Sequence, residues 1–244
     1  MSNTSTRALF PPWNLDSWKQ VDDSIRGGAS KSFLVAWSGG NNDGKYKDAV
    51  SFHGHLDIST LGGAGFASQK YEFKHPLNWG EIDKSKSHLT LLIIPPKASE
   101  KNVNRPSEFV VTLKTTRPPP PSQPKPRSQV TYESSFTAPT TQYSSPKSFE
   151  GISVTLPLAS FLPTYRGRAI PPDDPRWQEL DPTSIYEIGF MCRSEFGKQE
   201  GDFELVISAV EVHCVRTSAI WRWCVAAWRH VGHWFKLTRI PHHS

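Results

Sequence analysis

Residues 184–215 read SIYEIGFMCRSEFGKQEGDFELVISAVEVHCV. In the first part, Tyr186, Ile188, Phe190 and Cys192 recur at every second position, the period of a strand with one buried face. Residues 203–215 form a second strand-like run, separated from the first by a turn-rich segment. The same period continues upstream. Residues 49–58 place Val50, Phe52, Gly54, Leu56 and Ile58 on one face, and residues 65–73 place Ala67, Gln69, Tyr71 and Phe73 together. Residues 31–38 align Phe33, Val35 and Trp37. Phe109, Val111 and Leu113 alternate in residues 108–115, as do Val130, Tyr132 and Phe136 in residues 129–136. Residues 89–94 are nearly all apolar and stop at Pro95-Pro96, the pattern of a strand covered on both sides. Residues 151–156 complete the set. About nine strands, with no helical pattern of about 10–15 residues between them, predict an all-β sandwich or jelly roll and exclude a doubly wound α/β sheet.

Composition agrees. The chain has 244 residues, with 21 Pro, 16 Gly and only 2 Met, which favours turns and short strands over long helices. No apolar run approaches the roughly 20 residues of a membrane-spanning helix; residues 219–228 are interrupted by Arg222. We place a flexible N-terminus at residues 1–12, one sandwich domain at residues 13–215, and a basic tail at residues 216–244. The formal charge of +5 belongs to that tail. No acidic residue follows Glu211, whereas Arg216, Arg222, Arg229, Lys236 and Arg239 do. The body is therefore neutral, and a nucleic-acid partner is not expected.

Two segments break the strand pattern. Residues 117–128, RPPPPSQPKPRS, hold six prolines and predict an extended polyproline II loop between strands. Pro118, Pro121 and Pro124 also have the spacing of a docking peptide for a proline-recognising domain. In the tail, Arg222, Arg229 and Lys236 recur every seven residues beside a broad apolar face. The readings are a helix packed on its own domain, a membrane-surface or partner-docking helix, or an unstructured extension. In the second reading, Trp221, Trp228 and Trp234 anchor at the interface while Arg222, Arg229 and Lys236 meet anionic headgroups.

Catalytic constellations are weak. No Gly-x-Ser-x-Gly elbow, phosphate loop or His-Glu-x-x-His is present. The three cysteines, Cys192, Cys214 and Cys224, have neither a disulfide framework nor a paired zinc spacing, which reads as a reducing compartment. His53 and His55 point to the same side of a strand but have no third ligand, so they read as rim histidines, and no metal or cofactor is expected. Asp22 and Asp23 are adjacent on an extended segment, which turns them to opposite sides and excludes a paired-carboxylate hydrolase. One of them is expected to brace a turn, with Arg26 bridging to it. Residues 165–168, Tyr-Arg-Gly-Arg, lie between Pro163 and Pro171-Pro172 and read as a long loop. There Arg166 and Arg168 either clamp an acidic partner or brace the loop.

Four motifs then recur in order: WKQVDDSIRGGASKS at 18–32; FHGHL at 52–56 with LGGAGFASQ at 61–69; YRGR at 165–168; and IGFMCRSEFGKQEGDFEL at 188–205. Together they resemble the complex I intermediate-associated protein 30 family over roughly residues 13–212. The resemblance implies a galactose-binding-like β-sandwich. It also implies a non-enzymatic assembly factor for mitochondrial NADH:ubiquinone oxidoreductase, placed on the matrix side of the inner membrane. Its partners would be complex I subunits, assembly intermediates and other assembly factors, with peripheral membrane contact through the tail. Residues matching the family motifs include Asp22, Asp23, Arg26, Tyr165, Arg166, Arg168, Arg193 and Gln199, which we take as partner- or ligand-binding candidates. Residues 1–15 carry one basic residue, Arg7, and match a mitochondrial presequence poorly, so a cytoplasmic site is the alternative. The rival function is a carbohydrate- or other ligand-binding module without a complex I role.

Overall fold

The structure is a computed structural model and describes residues 4–39, 46–96, 105–120, 128–140 and 151–217. Among the described residues are thirteen strands: β1 (Thr4–Phe10), β2 (Trp18–Gln20), β3 (Lys31–Ala36), β4 (Val50–Leu56), β5 (Phe66–Leu77), β6 (His88–Ile94), β7 (Glu108–Lys114), β8 (Val130–Thr137), β9 (Ile152–Pro157), β10 (Leu162–Tyr165), β11 (Arg168–Ala169), β12 (Ile185–Arg193) and β13 (Gly201–Val215). They form two sheets. One has the order β3-β4-β13-β6-β9, with β1 also paired to β13; the other runs β11-β10-β8-β7-β12-β5-β2. Every strand pair is antiparallel. The expected all-β sandwich is the observed fold.

The period-2 pattern builds the core. From the first sheet, Phe52, Leu56, Leu89, Leu91, Ile93, Leu205, Ile207 and Val210 point inward. They meet Phe109, Val111, Leu113, Tyr132, Ile188 and Phe190 of the second sheet. Phe52 ties the layers together, with ring centroids 5.2 Å from Phe203 and 6.3 Å from both Phe109 and Phe190. A second aromatic group closes one side, where Trp18 stacks on Phe190 at 5.3 Å and Phe10 on Trp13 at 4.7 Å. Cys192 and Cys214 are buried and unpaired; burial pushes the Cys192 thiol well above the ordinary range and raises that of Cys214 against the opposing pull of Arg216 and Arg7, so both are poor nucleophiles.

Two expectations are corrected. Residues 1–12 do not all stand outside the sandwich. Residues 4–10 pair with β13 through Val210–Val215, and Phe10 is buried. Since β6 takes the other edge of β13, β1 and β4 share one edge in succession. The polar start of this strand, TSTR, hid it, because only its last residue enters the core. Residues 165–168 are not a long loop. β10 and β11 form a hairpin with Thr164 opposite Ala169 and Tyr165 opposite Arg168. Arg166 (φ 55°) and Gly167 (φ 75°) supply the two positive φ angles of the tight turn whose twist suits a hairpin. The alternation in β3 left open which face meets the core: Phe33 and Val35 face solvent, and Ser32 faces inward. Most of the proline-rich loop (121–127) and of the tail (218–244) lies outside the described residues, including Trp221, Arg222, Trp228, Arg229, Trp234 and Lys236. Among the described residues no helix is long and apolar enough to cross a membrane.

Candidate functional site

The inward turn of Ser32 follows from Asp22 and Asp23. Asp22 is extended, and Asp23 opens a 3-10 turn (Asp23–Arg26), so the two carboxylates are not opposed as an extended pair would be. Both enter the seam between β3 and β5. Asp22 accepts hydrogen bonds from the backbone N–H and hydroxyl of Ser32 (2.9 and 2.7 Å), the N–H of Ser68 (2.7 Å) and the amide of Gln20. Asp23 accepts from the N–H and hydroxyl of Ser30 (3.0 and 2.6 Å) and from the N–H of Phe66 (3.1 Å). Gln69 donates to the carbonyl and hydroxyl of Ser32. Each carboxylate thus joins an edge strand of one sheet to a strand of the other, and both are buried. Such carboxylates are bound to fixed donors and have no room to act on a substrate. Arg26 does not bridge to either one; its guanidinium lies over the Phe66 ring at 5.6 Å.

Glycine permits this close packing. A Cβ at Gly28 would fall 2.3 Å from the Asp23 carboxyl carbon, and one at Gly65 would fall 2.1 Å from the Asp57 carbonyl oxygen. Next to them, the Ser194 hydroxyl donates to the Gly63 carbonyl and accepts from the Gly65 N–H. The Gln199 side chain bonds the N–H groups of Ser107 and Glu108 and the carbonyls of Glu108 and Arg193. Arg193 pairs with Glu133 at 2.6 Å and Glu195 at 2.5 Å. The first, second and fourth motifs therefore meet at one end of the sandwich. Asp22, Asp23, Arg193 and Gln199 serve there as braces.

The third motif stands apart. Glu133 links the two regions, since it pairs with Arg193 and accepts from the Thr164 hydroxyl at 2.7 Å. The Tyr165 ring is covered by the guanidiniums of Arg176 at 4.8 Å and Arg166 at 5.5 Å. Arg166 also donates to the Ser128 hydroxyl, Arg176 pairs with Asp174, and Arg168 is exposed. The result is a hairpin that presents cations around an aromatic ring.

A second surface lies on the outer face of the β3-β4-β13 sheet. Register places Lys31, His55 and Asp202 in one row, Phe33, His53 and Glu204 in the next, and Val35, Ser51 and Val206 in the third. All of these except the buried Val206 line, with Trp37 and Arg105, an open groove of about 550 Å³. Phe33, 48% exposed, stacks on the His53 imidazole at 5.6 Å with 27° between the planes. The Ser51 hydroxyl donates to Glu204 at 2.7 Å and lies 3.3 Å from His53 Nδ1, and His55 Nδ1 lies 2.7 Å from Asp202. β4 can approach β3 here because a Cβ at Gly54 would fall 2.0 Å from the Lys31 carbonyl oxygen. Sequence reasoning found the shared face of His53 and His55 but missed the carboxylates that join them there, Asp202 paired with His55 and Glu204 bonded to Ser51, which are 147 and 153 residues from those partners. Among the described residues, no group of three His, Cys, Asp or Glu side chains could hold a metal ion.

Comparison with known proteins matches this architecture. The chain is similar in fold to a family 11 carbohydrate-binding module from Clostridium thermocellum, determined in complex with a β-1,3-1,4-mixed-linked tetrasaccharide. That match has a TM-score of 0.53 and 13% identity, covering 87% of this chain and 98% of the module. A solution structure of a carbohydrate-binding module, CtCBM11, matches at a TM-score of 0.50 with 12% identity over 87% of this chain and 96% of that one. At such identities the likeness concerns the fold alone. An uncharacterized protein of Schizosaccharomyces pombe is 32% identical over 207 residues, which is 81% of this chain and 78% of the relative. The model of the complex I intermediate-associated protein 30 family matches residues 8–92 and 104–207, spanning all four motifs and the braces they form, and the chain belongs to that family.

Proposed function

We propose that this protein is a non-catalytic assembly factor that holds intermediates of mitochondrial NADH:ubiquinone oxidoreductase, on the matrix side of the inner membrane. The observation that carries this reading is the family match over residues 8–92 and 104–207. The geometry adds a mode of action. The motif carboxylates are spent on bracing the sandwich, which leaves the rigid fold to present binding surfaces. The partner-facing element in this reading is the β10–β11 hairpin. Its Arg166 and Arg168 are exposed and pre-positioned by a two-residue turn, so little ordering entropy is lost when they meet an acidic surface on a client.

Native-gel analysis of a tagged chain in a mitochondria-enriched fraction tests the role. Co-migration with incomplete complex I and absence from the mature enzyme are expected; a chain found only outside mitochondria ends the reading. The Arg166→Glu/Arg168→Glu double variant should move off those intermediates while its thermal unfolding stays near that of the parent. Arg166 is already a non-glycine residue at positive φ, so the substitution brings no new backbone cost. Undiminished co-migration of the double variant would assign the client contact to another surface. In the same reading, the tail beyond residue 216 adds affinity for anionic membrane through Trp221, Trp228, Trp234, Arg222, Arg229 and Lys236. A chain lacking residues 218–244 should sediment several-fold less with phosphatidylcholine vesicles containing cardiolipin, and equal sedimentation would remove the membrane contact.

A further inference from the structure

We propose that the groove on the outer face of β3, β4 and β13 is a binding site for a neutral oligosaccharide. The site is independent of the assembly role and stands or falls separately from it. Phe33 at 48% and Val35 at 43% exposure stand side by side on this sheet face and leave a continuous apolar surface in water, which a partner would cover.

The chemistry around them selects the partner. The Phe33 ring is held by stacking on the His53 imidazole, and its exposure leaves part of the ring open to solvent as a platform. A flat, partly polar ligand with an apolar face would stack on it, and the face of a pyranose formed by its ring C–H bonds is such a surface. Around the platform stand the Glu204 carboxylate, the Ser51 hydroxyl and the His55–Asp202 pair. They supply acceptors and donors in the same row as the ring and in the rows on either side, where sugar hydroxyls, each both donor and acceptor, would reach them. Carboxylates are suited to vicinal hydroxyls because an ionised Asp or Glu only accepts, with two oxygens side by side.

Charge argues against the main competitors. The groove is lined by two carboxylates, Asp202 and Glu204, and two cations, Lys31 and Arg105, so its formal charge balances and suits a neutral ligand better than a polyanion such as a nucleic-acid strand. The groove is open and its three rows advance by two residues each, about 6.6 Å per step. An open run of that length fits a chain of sugar rings better than a single enclosed monosaccharide. The volume of about 550 Å³ lies within the range of small-molecule sites.

The test uses the full chain and four probes: cellotetraose, maltotetraose, chitotetraose and mannotetraose. Isothermal titration and Trp fluorescence at millimolar sugar should show saturable binding of at least one. Phe33→Ala should weaken it about tenfold or more, and Glu204→Gln should weaken it severalfold. Phe196→Ala, which alters a residue 87% exposed and outside the groove, should bind as the parent does. Phe33 and Glu204 are both exposed, so the variants should keep the parent's unfolding temperature. If either one unfolds, the other still decides. Two results overturn the proposal. One is silence with all four probes. The other is binding that neither Phe33→Ala nor Glu204→Gln weakens. Silence combined with loss of native-gel co-migration by Phe33→Ala would give this face to a protein partner instead.

Discussion

Asp23→Ala is expected to lower the free energy of unfolding by about 3–5 kcal/mol, a large part of what a domain of this size has to lose. The carboxylate is fully buried and accepts three hydrogen bonds, two from Ser30 and one from the Phe66 N–H. Truncation strands the N–H groups of Ser30 and Phe66 in the seam between the sheets and leaves the Ser30 hydroxyl only the Asp57 carbonyl at 3.3 Å, and each buried donor left without a partner costs about 1–3 kcal/mol. Asp23→Asn keeps the shape but places an amide N–H₂ where two of three neighbours donate, so it should recover only part of the loss. Urea unfolding followed by Trp fluorescence is the measurement. A lower midpoint with an unchanged slope is expected. A variant within about 1 kcal/mol of the parent would mean that the seam does not hold the sheets together. Either result also bears on the family motif, since the reading of Asp22 and Asp23 as braces rests on the same seven bonds.

Phe52→Ala is expected to cost a comparable amount, about 3–5 kcal/mol, by a different route. Its ring has no exposed surface and touches Phe109 and Phe190 across the sandwich and Phe203 within its own sheet. Removing it leaves a cavity between two layers that are held apart by their hydrogen-bonded ladders and collapse only in part. Phe52→Leu should cost clearly less. The informative comparison is Phe33→Ala. Phe33 sits in an equally regular alternating run, yet it faces solvent, and its loss should change stability by no more than about 0.5 kcal/mol. If thermal or urea unfolding showed equal costs for the two, the assignment of inner and outer faces of β3 would be wrong.

That pair of phenylalanines marks the limit of what alternation can tell. Period 2 says that residues 31–38 are a strand with one apolar face, because successive side chains must leave opposite sides of a pleated chain. It does not say which side meets the core. The decision is made by Ser30 and Ser32, whose N–H and hydroxyl groups are captured by Asp23 and Asp22 and drawn into the seam. Short or polar strands were invisible for a related reason. Residues 18–20 and 168–169 are too few to show a period, and TSTR at 4–7 places nothing apolar in the core, yet all of them pair through backbone groups that every residue carries.

The candidate residues divide in the same way. Asp22, Asp23, Arg193 and Gln199 could be picked out as motif residues, but their partners (Ser30, Ser32, Phe66, Ser68, Glu133 and Glu108) come from other strands. The expected bridge from Arg26 to one of the aspartates does not form, because both carboxylates are taken by backbone and serine donors and the Arg26 guanidinium lies over the Phe66 ring. Arg166 and Gly167 hold turn chemistry that was legible in principle, since a glycine beside a residue able to adopt positive φ is a hairpin signal.

By itself, then, the amino-acid order determined the class of this protein: many short strands, one two-layer sandwich, a neutral body, and the ordered motifs of its family. These are properties of neighbours along the chain, where periodicity, turn residues and local charge act. Which face of β3 is wet, which carboxylates are braces, and how Phe33, His53 and Glu204 come to share one row were decided only by the tertiary structure. Those outcomes depend on register between strands up to 153 residues apart, and register is set by the whole packed core together.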